Sequence, residues 1–302
     1  ILFDGEVVAE DEHISVVQWR ALELERAVDI ELRFAVQTAA GYTPPADAAL
    51  VVETPDQFEI TVNGQVLSKR DLGHYRDMSF RKIDLEGSLQ EGANEIVMRA
   101  RFEQSPEIYA HLRRARAFEA EKNKLTYDSE IEAIYLIGSF GVVTPGEYEA
   151  LPREAMRYTG EFLLAPLPEQ VVLGDLTPQG LPFFNGVLRL SKRVAIEDVA
   201  ARSFQFGRKM AHIVDLAVNG EACGEWFWRP FFCAIPDGTL QAGKNELTLT
   251  LTSGLRNLLG PHHLEEGESY AVGPATFFKE PNIWGSGRWN DAYCFMPFGL
   301  QV

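Results

Sequence analysis

The sequence predicts an all-β chain folded as two tandem antiparallel β-sandwiches, and three observations carry that prediction. Apolar and polar residues alternate with period two in two places, at Phe58, Ile60 and Val62 and again at Val214, Leu216 and Val218. Each run ends in Asn-Gly, at Asn63-Gly64 and Asn219-Gly220. Both residues tolerate positive φ, so the dipeptide marks a strand entering a tight turn. A second matched segment follows each turn: Ser88-Leu89-Gln90-Glu91-Gly92-Ala93-Asn94-Glu95-Ile96 aligns with Thr239-Leu240-Gln241-Ala242-Gly243-Lys244-Asn245-Glu246-Leu247. Each copy then continues as an alternating strand, through Met98, Ala100 and Phe102 in the first and Leu249 and Leu251 in the second.

The register between the copies is tight. Gly73 aligns with Gly224, Tyr75 with Trp226, Phe80 with Phe231 and Gly92 with Gly243, all at an offset of 151. Asn63 to Asn219 is an offset of 156, so the first copy carries its extra residues between Gly64 and Gly73. A length change confined to one loop is what a surface connection tolerates. The period is too long for a solenoid, so this is a duplicated domain. The expected domains are residues 1–146 and 147–302, with the boundary near Thr144-Pro145-Gly146.

Further strand candidates are Ile30–Val36, Ala49–Glu53, Ile131–Ile137, Val187–Val194, Ser203–Phe206 and Ala292–Phe298. Short β-rich runs punctuated by Gly and Pro fit two antiparallel sandwiches. One short helix is expected at Pro106–Lys122, where Ile108, Leu112 and Ala115 share a face.

Bulk composition narrows the function. The chain has 302 residues, room for two separate cores, and its 46% hydrophobic content argues against disorder. No apolar run approaches the length of about 18 residues that a membrane span requires, so no membrane partner is expected. The net charge of −16 repels phosphate backbones. The one basic cluster, Arg113-Arg114-Ala115-Arg116, is followed by Glu119 and Glu121 and reads as a solvated helix face, so no nucleic acid is expected. Cys223, Cys233 and Cys294 lack metal-ligand spacing and read as free thiols, although Cys223 and Cys233 could pair in an oxidising compartment. The chain begins at Ile1 without Met or a signal-peptide pattern, which suggests a processed or excised fragment and leaves localisation unread.

No catalytic residue, cofactor or metal site is expected. The Gly-x-Gly-x-x-Gly loop of a dinucleotide fold and the Gly-x-Ser-x-Gly elbow of a hydrolase are both absent. Glu265-Glu266-Gly267-Glu268 reads as a solvated loop, and spacing alone pairs no two carboxyls across a glycosidic bond. His262-His263 has no further His or Cys at metal-ligand spacing, so hydrogen bonds between loops or against a neighbouring domain are the expectation.

The aromatic residues are the better lead. Sugar rings present apolar C–H faces that stack on exposed indoles, while their hydroxyls bond to Arg, Asn or Asp. Trp226, Trp228 and Arg229 lie in one loop, and Trp284, Arg288, Trp289 and Asn290 in a Gly-rich stretch near the C-terminus. These seven residues are the candidate carbohydrate contacts, and core or inter-domain packing is the competing reading for each tryptophan. Trp226 aligns with Tyr75, which favours a shared packing role there. Trp228 aligns with Asp77, which does not.

The two copies resemble the galactose-binding-like, jelly-roll modules of large glycoside hydrolases of the β-galactosidase and α-L-rhamnosidase type. The strand-Asn-Gly signature and the Leu-x-x-Gly-x-Asn-Glu-(Ile/Leu) segment carry the resemblance. Gln179-Gly180-Leu181-Pro182-Phe183-Phe184-Asn185-Gly186 is similar to the lead into the second sandwich of such proteins, and Leu255–His263 to the segment after its core strand. In that family the catalytic carboxylates sit on a separate barrel of about 250 residues, which cannot fit here beside two sandwiches. The resemblance implies a non-catalytic accessory region that braces a catalytic domain and is open to carbohydrate contact. An autonomous carbohydrate-binding module that targets its parent to polysaccharide is the alternative.

Overall fold

The alternating runs become the central strands of two antiparallel ladders. In the computed structural model, which describes residues 1–199, 202–285 and 287–301, Phe58–Val62 pairs with Ala93–Phe102, and that strand pairs with Val28–Thr38 from Val28↔Phe102 to Gln37↔Ala93. Ile213–Val218 pairs with Gly243–Thr252, and that strand pairs with Val187–Ile196 from Val187↔Thr252 to Ile196↔Gly243. Period-two alternation drives one face of each ladder inward: Ile30, Leu32, Ile60 and Met98 in the first, Val214, Leu216, Leu249 and Leu251 in the second, are all buried. The chain as a whole is mostly β, its sheets antiparallel apart from the Leu163–Ala165 strand, which runs parallel to Val28–Thr38.

The two Asn-Gly turns and the segments that follow them make the same hydrogen bonds. Asn63 and Asn219 sit at φ 50° and 52°, and Gly64 and Gly220 at 79° and 85°. The Asn63 Nδ2 donates to Ser88 O and Asn94 Oδ1, as the Asn219 Nδ2 donates to Thr239 O and Asn245 Oδ1. Asn94 and Asn245 are 4% and 2% exposed. Each donates Nδ2 to two carbonyls, Gln90 O and Gly92 O or Gln241 O and Gly243 O. Each also accepts at Oδ1 from the amide of Gln90 or Gln241. A buried carboxamide with every polar atom bonded fixes the approach to the core strand at little cost.

The chain divides into two compact units, neither continuous in sequence. One comprises Ile1–Val143, Phe162–Leu167 and Ala271–Trp289, the other Thr144–Glu161, Pro168–Tyr270 and Asn290–Val302. The first unit holds an eight-stranded sheet around Val28–Thr38 and Ala93–Phe102, and a four-stranded sheet ordered Tyr135–Ile137, Ala49–Val52, Asp77–Asp84, Asp71–Tyr75. The second unit holds a four-stranded sheet ordered Val187–Ile196, Gly243–Thr252, Ile213–Val218, Glu221–Trp226, with smaller sheets beside it. Its core joins Val214, Leu216, Val218 and Leu251 of that sheet to Leu176, Phe206, Phe298 and Leu300.

Four α-helices are present among the described residues, not the single short one expected. The segment Pro106–Lys122 is helical over Pro106–Ala117 and again over Glu119–Lys122, broken at Phe118, whose φ of −130° and ψ of 120° are extended. Tyr109, Leu112 and Ala115 form its buried stripe, and the second piece buries no residue. The helix Ser15–Glu23 escapes sequence reading because Val16, Val17, Gln18, Trp19, Ala21 and Leu22 are all buried. A helix buried around most of its circumference has no amphipathic period, and a Val-Val pair reads as strand. The short Arg256–Leu259 helix completes the set. The expected strands Ile131–Ile137 and Ala292–Phe298 contract to Tyr135–Ile137 and Tyr293–Phe295.

Candidate functional site

The aromatic loop of the second unit grows out of a strand that pairs along its length. Glu221–Trp226 runs antiparallel to Ile213–Val218, with an irregularity between Leu216 and Ala217 that leaves Cys223 without an opposite residue. Trp226 stands opposite the buried Val214 and is itself 5% exposed. Its ring lies 5.1 Å from Phe206, edge to face, and its Nε1 donates to Phe232 O at 3.4 Å. Phe206 in turn stacks on Phe231 at 4.7 Å. The base of the loop is therefore locked by aromatic packing into the core.

The top of the loop faces water. Trp228 is 77% exposed, and Phe227 beside it and Phe232 across the loop are exposed as well. The Phe227 and Trp228 rings lie 5.8 Å apart, and the exposed Arg229 guanidinium sits 5.6 Å from the Phe231 ring centre. An exposed indole on a packed base offers an apolar stacking face to a ligand, and the Arg229 guanidinium lies against the Phe231 ring.

The other candidates are distributed differently. Trp284, Arg288 and Trp289 belong to the first unit, whereas Trp226, Trp228, Arg229 and Asn290 belong to the second. Trp284 is half-buried in a turn where its amide donates to Asn282 Oδ1 at 2.8 Å. Trp289 is half-buried with its ring 4.9 Å from His13, and Arg288 is exposed. Ser286, within the same Gly-rich stretch, lies outside the described residues. The Asn290 Oδ1 accepts from the Ala292 amide at 2.9 Å, so its side chain shapes its own turn.

His262 and His263 tie loops of the second unit together. His262 Nε2 meets Asn257 O at 2.9 Å, His263 Nδ1 meets Asn290 O at 3.1 Å, and both rings pack on Tyr293. Among the described residues no group of three or more His, Cys, Asp or Glu is placed to hold a metal ion. The three cysteines are free, and burial pushes each thiol above its ordinary range.

Sequence reading missed one group of ionisable residues in the first unit. Tyr135 stands opposite Val51, which carries Glu130 and Glu132 toward Glu53. Burial, then the charges of Glu53 and Glu130, push the Glu132 carboxyl up to about 7, although the residue stays exposed and water screens part of the effect. Burial likewise pushes Tyr135 up to about 12. The strand pairing that gathers these residues links positions some eighty apart, so no local motif marks them.

The class this geometry defines is a mostly antiparallel β protein that presents an exposed aromatic loop. No protein-family model matches the chain, and no curated protein matches it in sequence. Among solved structures it is similar to a rhamnosidase from Novosphingobium sp. PP1Y, with 15% identity over 90% of this chain and 22% of that one, at a TM-score of 0.29. It is also similar to a lectin from Pleurotus ostreatus in complex with GalNAc, with 13% identity over 75% of this chain and 68% of that one, at a TM-score of 0.20. The chain spans about a fifth of the rhamnosidase's length. Neither overlap amounts to a shared fold, and the functional reading rests on the residues themselves.

Proposed function

We propose that the chain is a non-catalytic accessory region of a glycoside hydrolase, built of two galactose-binding-like jelly-roll modules whose boundary in the sequence falls near Thr144-Pro145-Gly146. It braces the catalytic domain and contacts carbohydrate. The single observation that carries this reading is Trp228, an indole 77% exposed on a loop whose base is packed solid. Exposing a tryptophan beside Phe227 sacrifices burial and invites association, which a surface gains from only when something covers it. The duplicated Asn63–Asn94 and Asn219–Asn245 networks support a pair of like modules. In the parent enzyme, Trp228→Ala lowers the melting temperature or the turnover of polymeric substrate, while the present chain alone leaves aryl-glycosides uncut. A parent indifferent to Trp228→Ala in both measurements refutes the reading.

Arg229 favours a second reading, an autonomous carbohydrate-binding module. A guanidinium one residue from a stacking indole in the sequence supplies donors for a ring with hydroxyls at its edge. On that reading the isolated chain binds polysaccharide and Trp228→Ala abolishes the binding.

A further inference from the structure

The first unit carries an open groove of about 460 Å³, within the range of small-molecule sites. Asp29, Glu31, Gln57, Glu59, Arg99 and Arg101 supply its polar lining. The strands put them there by alternation. Ile30, Leu32, Ile60, Met98 and Ala100 turn into the core, so their neighbours share the opposite face of three adjacent strands. The register sets Asp29 opposite Arg101, and Glu31 opposite Arg99, which is itself opposite Glu59. Rows of alternating charge run across the sheet as a result. Beside them, Leu2 and Gly5 come from an N-terminal hairpin that pairs Leu2 with Glu31 and borders the groove.

Each charge is held in place by its neighbour. The Arg101 Nη1 donates to Asp29 Oδ1 at 2.9 Å, and the Arg99 Nε donates to Glu31 Oε2 at 2.6 Å. The Arg99 Nη1 lies 3.6 Å from Glu59 Oε1, and the Arg33 Nε donates to Glu31 Oε1 at 2.7 Å. Burial alone raises the Glu31 carboxyl, but the bonds from Arg33 and Arg99 more than offset it and hold the group below its usual range. Exposed ion pairs contribute little to folding. What the ladder provides is a fixed array of guanidinium donors and carboxylate acceptors along a groove.

We propose that this groove is a binding site for a neutral, polyhydroxylated ligand, an oligosaccharide, separate from the Trp228 loop. The inference rests on the carbohydrate reading above. Sugar hydroxyls donate to Asp29, Glu31 and Glu59, and sugar oxygens accept from Arg99 and Arg101. Among the lining side chains three carboxylates face two guanidiniums, and Arg33, bonded to Glu31, balances the third. The array is therefore locally neutral, and the chain's net charge of −16 is what disfavours anionic sugars and phosphates. Each of the three carboxylates is already paired with a guanidinium, so none is free to hold a cation. A neutral polyol uses both signs and conflicts with neither.

The test titrates the chain with neutral oligosaccharides of galactose, rhamnose and glucose, and with a uronic-acid oligosaccharide, by calorimetry and by amide NMR shifts. A neutral sugar shifts the amides of Glu31, Glu59 and Arg99. Arg101→Ala and the isosteric Glu59→Gln each weaken binding about tenfold, as for one lost hydrogen bond to a charged group. Trp228→Ala leaves these shifts in place. Neutral-sugar binding abolished by Trp228→Ala and kept by both groove variants overturns the groove while leaving the aromatic loop standing. Tighter binding of the uronate overturns the charge argument. No shift at the groove amides with any neutral sugar overturns the site.

Discussion

Replacing Asn245 with alanine tests the buried carboxamide network of the second unit directly. Its carboxamide makes four hydrogen bonds: from the Gln241 amide at 2.8 Å, from Asn219 Nδ2 at 2.8 Å, and to Gln241 O and Gly243 O at 2.7 and 3.1 Å. A net gain of about 1 kcal/mol per bond, less what water restores at the loop, gives a loss of about 3 kcal/mol. For a unit of this size that lowers its melting temperature by about 6–12 °C. Asn94 makes the equivalent four bonds in the first unit, so Asn94→Ala should lower that unit's transition by a similar amount. Scanning calorimetry, with the two transitions assigned by the variants themselves, reads both numbers. Asn245→Asp sharpens the test, because it sets a negative charge against Gln241 O and Gly243 O. That variant is weakest above the raised pKa of the new carboxyl and recovers stability as pH falls through it. A shift below 2 °C for either alanine variant would refute the claim that these networks hold the strand approaches.

Three further outcomes follow from the same structure. Gly92→Ala and Gly243→Ala each cost about 1–2 kcal/mol in denaturant unfolding. The φ angles are +86° and +94° and a Cβ at either site meets nothing within 4 Å, so backbone strain is the whole effect. Trp226→Ala costs about 3–5 kcal/mol, whereas Trp228→Ala stays within about 0.5, and equal losses for the two would contradict their burial. Glu132, raised from the usual 4.5 to about 7, is penalised when it ionises in the folded state. The wild type therefore loses stability relative to Glu132→Gln as pH rises from about 4.5 through 7. Screening at this exposed residue holds the difference to about 1 kcal/mol, read as urea midpoints at pH 5 and pH 8.

The parts legible in the sequence are those where the backbone demands a residue type. Asn63-Gly64 and Asn219-Gly220 need left-handed φ, and both segments before the core strands need the same buried Asn, so each leaves a local mark. The direction of Trp226 leaves none. The Glu221–Trp226 strand carries its irregularity at Cys223, with Ala222 opposite Ala217 and Gly224 opposite Leu216. Plain alternation puts Trp226 on the same face as Ala222, outward; the one extra residue turns it inward onto Val214. The pairing of Tyr135 with Val51, which assembles the glutamates, is a long-range choice made by the sheet.

The two copies diverge where no hydrogen-bond network holds them. After Asn63-Gly64 only Gln65–Val66 pairs back onto the preceding strand, and Asp71–Tyr75 joins the other sheet beside Asp77–Asp84. After Asn219-Gly220 the whole of Glu221–Trp226 stays on its ladder, which delivers Phe227 and Trp228 to the surface at the strand's far end. The alignment of Tyr75 with Trp226 thus joins residues on strands that pair differently. The outward faces part in the same manner. The row Glu59, Arg99, Glu31 in the first unit crosses the core strand with charge on every residue, whereas Asp215, Thr250 and Arg189 form a row of the second with a hydroxyl at its centre. Buried Asn residues and inward aliphatic side chains constrain both copies alike, and outward side chains do not. On the proposed carbohydrate reading, differences in binding between the two units lie in the charged groove of one and the aromatic loop of the other. Each can be removed by surface substitutions that leave its core intact.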